Sequence, residues 1–169
     1  PLADGMRIEF ANETFEVWRT DGHVDGHLCY VHSEVVFCGD TLFAGGCGYL
    51  FDGPAKAMFD SLQRLGHLAD GVKVCCAHEY TVDNLRFAHF VEPSLVSVEQ
   101  RLKWSVARLE SGETTLPSTM GLERRTNPFM RSGDPHLAAR VSALIGSDLS
   151  TELDVFAATR KLKDQKVHR

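Results

Sequence analysis

Apolar and polar residues alternate at the start of the chain, over Met6 to Phe10 (MRIEF) and again over Thr14 to Thr20 (TFEVWRT). Alternation of period two marks a strand with one buried face, and the intervening Ala11-Asn12-Glu13 makes a hairpin the simplest prediction. Leu28 to His32 and Val35 to Cys38 read as a second strand pair joined at Ser33-Glu34. Val35, Val36, Phe37 and Cys38 form an unbroken apolar run, as expected of a strand covered on both faces. Gly53-Pro54 then opens a helix in which Met58, Phe59, Leu62 and Leu65 recur at helical spacing, with proline tolerated in the first turn. Lys73 to Ala77 (KVCCA) is a further buried strand. Strands, one helix and a returning strand make residues 1–78 a piece of an α/β layered fold.

The pattern changes after His78. Leu85, Ala88 and Val91 predict a helix from Thr81, and Val98, Leu102, Val106 and Leu109 a longer one after Pro93 that ends near Gly112. Leu116 to Met130 holds two prolines and no sustained period, so an ordered loop is expected there. Asp134-Pro135 is an N-cap followed by a first-turn proline, opening a helix that carries Leu137, Val141 and Leu144. Ser150-Thr151 opens the last helix, with Leu153, Phe156 and Leu162. Residues 79–169 are therefore expected to form a small helical domain.

Composition narrows the function classes. A formal charge of -5 and a pI near 5.9 leave no basic footprint for nucleic acid or a membrane surface. No apolar run approaches the roughly 20 residues of a membrane helix. The five cysteines are odd in number, lie mostly in apolar runs and include the adjacent Cys75 and Cys76, which is intracellular usage without disulfides. A soluble, cytoplasmic protein is expected. The chain opens Pro1-Leu2-Ala3-Asp4-Gly5 and enters a strand pattern almost at once, which reads as part of something longer.

Three segments end in potential metal ligands: TDGHVDGH (Thr20 to His27), Asp40 after the apolar strand, and His78 after KVCCA. A carboxylate at the mouth of a buried strand must be paired, hydrogen-bonded or metal-bound, because burying it bare is costly. The alternative is an Asp that caps the following turn through Thr41. Two imidazoles and a carboxylate suit zinc, iron or manganese, although the wide spacing is no local motif and separate structural histidines fit it too. His23 is favoured as the ligand and His27 as a histidine satisfied by hydrogen bonds. Cys75 and Cys76 read as strand core, and His32, His67, His89, His136 and His168 read as surface.

TDGHVDGHLCY, FCGDTLFAGGCG, CCAHEYT, NPFMR and RKLKDQ, in that order, resemble the glyoxalase II (hydroxyacylglutathione hydrolase) family of the metallo-β-lactamase fold. The resemblance implies the second half of an αββα domain followed by a helical substrate-binding domain. It also implies two divalent metal ions, zinc first with iron or manganese as alternatives, bridged by Asp40, with His23 on one and His78 on the other. Asp40 thereby positions a metal-bridged hydroxide that hydrolyses a glutathione thioester such as S-D-lactoylglutathione to glutathione and D-lactate, a step of methylglyoxal detoxification. Tyr80 matches a substrate-contacting tyrosine, and Arg160 and Lys163 match a glutathione-binding pair.

The family's remaining ligands lie in a THxHxDH segment that these 169 residues do not contain. Weak metal binding by this chain alone is therefore expected, as is an uncovered sheet face that favours self-association. Tyr49 stands where the family usually carries Lys or Arg, and Phe51 where some members have tyrosine, so a weaker hold on glutathione is expected. The alternatives are a persulfide dioxygenase-like oxidoreductase of the same fold, which would leave NPFMR and the Arg160/Lys163 pair without a purpose, and a silent glutathione-binding fragment.

Overall fold

The computed structural model describes residues 1–166; the surface reading of His168 lies outside them. The opening hairpin joins β1 (Arg7–Phe10) to β2 (Glu13–Arg19), turning at Ala11 and Asn12 with φ of 52° and 66°. Two successive left-handed residues match the twist of the flanking strands, and this fixes the register of Ile8 opposite Phe15. β3 (Leu28–Val31) and β4 (Val35–Gly39) extend the antiparallel sheet, and β7 (Lys73–Cys76) adds parallel to β4. Between β4 and β7 the chain forms a short ribbon, β5 (Leu42–Phe43) with β6 (Gly46–Cys47), and then α1 (Ala55–Leu65).

One face of the sheet carries Cys29, Val31, Val36, Cys38 and Val74, packed with Met58, Leu62 and Leu65 of α1 in a single buried cluster. The opposite face carries Ile8, Phe15, Tyr30 and Phe37, with Phe37 46% exposed and Phe10 beside it 71% exposed. The strands alternate, and β4, whose unbroken apolar run predicts cover on both faces, is covered on one only: Val36 and Cys38 are buried while Phe37 is exposed.

The second half packs α2 (Thr81–Val91), α3 (Val96–Glu110), α5 (Pro135–Ile145) and α6 (Glu152–Asp164) around the core residues Phe87, Phe129, Leu137, Val141 and Phe156. The Asp134 side chain accepts from His136 N, and Thr151 closes a capping box with Asp154. Leu116 to Met130 is not a loop. It contains β8 (Ser118–Thr119), α4 (Met120–Thr126) and a 3-10 turn over Pro128–Met130. β8 pairs with β7, so the sheet takes its last strand from beyond residue 79. Elements this short carry no readable period.

On α3 the buried positions are Val98, Arg101 and Ser105, whereas Leu109 is 40% exposed. The predicted apolar stripe is displaced because Arg101 points inward to Glu123. Two histidines read as surface are half-buried. His32 lies 3.3 Å from a Glu13 carboxylate oxygen and against the Phe15 ring, and His89 has its Nδ1 buried.

Candidate metal centre

Asp40 and His78 follow the carboxyl ends of the adjacent parallel strands β4 and β7, which the Ala77 N–H to Gly39 carbonyl bond keeps in step. Such ends are where open α/β sheets collect functional side chains. His23 comes from the loop between β2 and β3. At Gly22, φ is +130° and an added Cβ would lie 2.5 Å from the Met58 backbone, so the chain can turn this tightly against α1 only without a side chain.

The three residues converge. His23 Nε2 lies 3.6 Å from Asp40 Oδ2, and His78 Nε2 lies 3.5 Å from Asp40 Oδ1. The carboxylate thus faces one imidazole with each oxygen. His23 Nδ1 donates to the Tyr49 carbonyl at 2.8 Å, which orients the ring with Nε2 toward Asp40. A cation placed between Nε2 and the carboxylate would meet both groups.

The separations have the size such a cation demands. Bonds of about 2.0–2.2 Å at a tetrahedral angle place two ligand atoms about 3.3–3.6 Å apart. Among the described residues no group of three or more His, Cys, Asp or Glu side chains could hold an ion by itself. The arrangement is one carboxylate with an imidazole facing each of its oxygens.

His27 is turned inward and serves the frame. The Asp40 N–H donates to His27 Nε2 at 3.3 Å, so Nδ1 carries the proton for the Thr20 and Thr41 hydroxyls at 3.2 and 3.1 Å. Burial, reinforced by the neighbouring His23, pushes its pKa down and keeps the ring neutral. Glu79, between His78 and Tyr80, turns away to accept from Thr115 N and Oγ1 at 2.6 and 2.8 Å. Those bonds hold its carboxyl below the usual range and anchor the turn.

The rim is aromatic. The Tyr80 ring stacks on His78 at 5.0 Å, Phe51 meets His23 edge-on at 5.2 Å, and Tyr49 contacts Phe51. Tyr49, Phe51 and Tyr80 are all at least half exposed. Arg160 is only 6% exposed: Nε and Nη2 donate to Asp164 at 3.0 and 2.5 Å, and Nη1 donates to the Cys47 carbonyl at 3.2 Å. Lys163 lies 3.8 Å from an Asp83 carboxylate oxygen and over the Phe87 ring. Burial raises the Cys47 thiol pKa, in keeping with its having no nucleophilic part. Cys75 and Cys76 are half-buried strand residues.

Sequence reasoning missed Tyr49 as the residue whose carbonyl orients His23. A carbonyl is present on every residue, so no side-chain pattern marks it. Gly48 was also passed over. An added Cβ there would sit 2.0 Å from the Asp40 carbonyl and 3.1 Å from His23 Nδ1. Gly48→Ala is expected to cost about 3 kcal/mol, the upper end of overpacking penalties. An unchanged denaturation midpoint would show that the loop yields without strain.

Residues 2–78 match the family model described as metallo-beta-lactamase superfamily. Solved structures agree at the level of fold. ETHE1 from Myxococcus xanthus covers 96% of this chain and 58% of its own at 22% identity, with a TM-score of 0.54. A metallo-beta-lactamase from Staphylococcus aureus covers 95% and 42% at 20% identity, with a TM-score of 0.51. Residues 79–166 match the model described as hydroxyacylglutathione hydrolase C-terminus, and the chain belongs to that family. The hydroxyacylglutathione hydrolase of Aliivibrio salmonicida is 43% identical over 98% of this chain and 65% of its own length. That of Pseudomonas fluorescens is 42% identical over 97% and 64%. The chain thus spans just under two thirds of these relatives.

Proposed function

We propose that this chain carries the Asp40 half of a binuclear centre that hydrolyses S-(2-hydroxyacyl)glutathione thioesters, with S-D-lactoylglutathione as the reference substrate. The observation that carries the reading is the shared carboxylate: one imidazole 3.6 Å from Oδ2 and another 3.5 Å from Oδ1. His23 and Asp40 would hold one divalent cation, and Asp40 and His78 the other. Zinc is the first candidate, with iron or manganese next, since His and Asp ligands suit all three. When bound, the two cations lower the pKa of a shared water and polarise the thioester carbonyl.

The protein's own groups do the rest. Asp40 fixes the separation of the two positions, and the Tyr49 carbonyl holds His23 in the tautomer that presents Nε2. Tyr80 closes the His78 side with its stacked ring. On the glutathione side the half-exposed Tyr80 is the group open to substrate, whereas the charged ends of Arg160 and Lys163 are buried beside Asp164 and Asp83. Tyr49→Arg restores a cation at the rim and is expected to lower KM for S-D-lactoylglutathione about 5-fold, the effect of one exposed charge pair. An unchanged KM would remove Tyr49 from the substrate path.

The persulfide dioxygenase-like reading loses its discriminator, because NPFMR has a structural purpose. The Asn127 side chain bonds the β5–β6 ribbon, and Arg131 pairs with Glu92 at 2.5 Å. Family membership through residues 79–166 favours the thioester hydrolase.

Two donors per cation, against the four of a closed zinc shell, predict that the 169-residue protein by itself retains metal weakly and turns over slowly. The decisive experiment joins a THxHxDH-bearing segment of a family member ahead of Pro1 and measures bound metal and thioester hydrolysis together. Two metal equivalents with hydrolysis of S-D-lactoylglutathione are expected. A folded, two-metal chimera that leaves the thioester intact would overturn the assignment.

A further inference from the structure

The β5–β6 ribbon that follows Asp40 has most of its free backbone groups bonded to side chains from the second half of the chain. Asn127 Nδ2 donates to the Phe43 and Gly46 carbonyls at 3.3 and 2.9 Å, and Asn84 Nδ2 donates to the Ala44 carbonyl at 3.0 Å. The Gly45 N–H donates to Glu123 Oε2 at 2.8 Å, and Arg160 Nη1 to the Cys47 carbonyl at 3.2 Å. Asn84, Glu123, Asn127 and Arg160 are all at least 94% buried, at 2%, 0%, 0% and 6% exposure. The fit leaves no room for slippage, since a Cβ on Gly46 would fall 2.6 Å from Asn84 Cγ.

The roots of the ribbon lie in the metal centre. Gly48 N–H donates to the Thr41 carbonyl at 3.3 Å, Gly48 packs against the Asp40 carbonyl, and the next residue, Tyr49, supplies the acceptor for His23. Moving the ribbon moves both a ligand and the group that orients a second ligand. We propose that Asn84, Glu123, Asn127 and Arg160 are positioning residues that set the Asp40–His23 spacing through the β5–β6 backbone, Arg160 acting through the Cys47 carbonyl rather than on substrate. The consequence for metal rests on the binuclear reading; the clamp itself does not.

The test uses the 169-residue protein and its Asn127→Ala, Arg160→Met and Arg160→Lys variants. Amide hydrogen exchange at Gly45 and Gly48 is followed by NMR, with β2 amides as the internal reference, and Zn²⁺ is added while the His23 and His78 ring signals are watched. The expected result for Asn127→Ala and Arg160→Met is at least tenfold faster exchange at the two glycines, unchanged β2, and Zn²⁺ binding weakened about 10- to 100-fold, as for lost outer-shell support. Arg160→Lys keeps a donor for the Cys47 carbonyl and is expected to stay within threefold of the parent. Exchange and Zn²⁺ affinity within twofold of the parent in both truncations would overturn the proposal, as would a lysine variant as impaired as the methionine one. If Asn127→Ala does not fold, Asn84→Ala, which removes the single bond to Ala44, carries the same readout. A parent protein whose ring signals ignore Zn²⁺ would refute the metal reading, while the exchange rates still decide the clamp.

Discussion

Glu123→Ala is expected to destabilise the protein by about 3–5 kcal/mol, because it leaves a guanidinium buried without its counter-charge. Glu123 is fully buried, and one of its oxygens accepts from Arg101 Nη2 at 2.5 Å and from the Ser118 hydroxyl. The other accepts from Asn127 Nδ2 at 3.1 Å and from the Gly45 N–H at 2.8 Å. Arg101, with 4% of its side chain exposed, would be left with only the Thr126 and Ser118 hydroxyls as partners. At about 2–4 °C per kcal/mol for a chain of this size, Tm should fall by about 6–20 °C in calorimetry. Replacing both partners together, Arg101→Met with Glu123→Leu, should recover much of the loss, since the main penalty lies in the orphaned charge. A single-variant loss below about 1 kcal/mol would mean that water reaches Arg101 and that this pair does not tie α3 to α4.

Asp40→Asn is expected to empty both metal positions at once while leaving the fold intact. The substitution keeps the shape but removes the negative charge that each position shares. Loss of a ligand should exceed the 10–100-fold that outer-shell changes cost, so metal affinity and thioester turnover in the metal-complete chimera should each fall by more than about 100-fold. The fold should tolerate the change because the residue's structural bond runs through its backbone N–H to His27, and 28% of the side chain is exposed. Elemental analysis beside a thermal melt separates the two effects. Retention of two metals by a well-folded Asp40→Asn chimera would show that the cations are held elsewhere.

The longer elements were legible because their signals are local. Strand alternation placed Phe15 and Val17 on one face, and the cap chemistry of Asp134 and Thr151 started two helices where the sequence predicts them. The resemblance singled out His23, Asp40 and His78, which the fold brings within 3.6 Å of a common carboxylate. Separation of His23 from His27 was readable as a preference, and the tautomers forced by Tyr49 and Asp40 give it a physical basis.

Other features have no local signal. The inward turn of Arg101 depends on a carboxylate 22 residues away, and Asn127 reaches a carbonyl 84 residues back. By itself the sequence determined the period of most long elements and the caps of the last two helices, because neighbours along the chain encode these. The tertiary structure alone decided that Arg160 is spent on Asp164 and Cys47, that β8 closes the sheet, and that the ribbon after Asp40 is clamped from the second half. Those choices turn on how buried polar groups find partners, and the search for partners runs through space rather than along the chain.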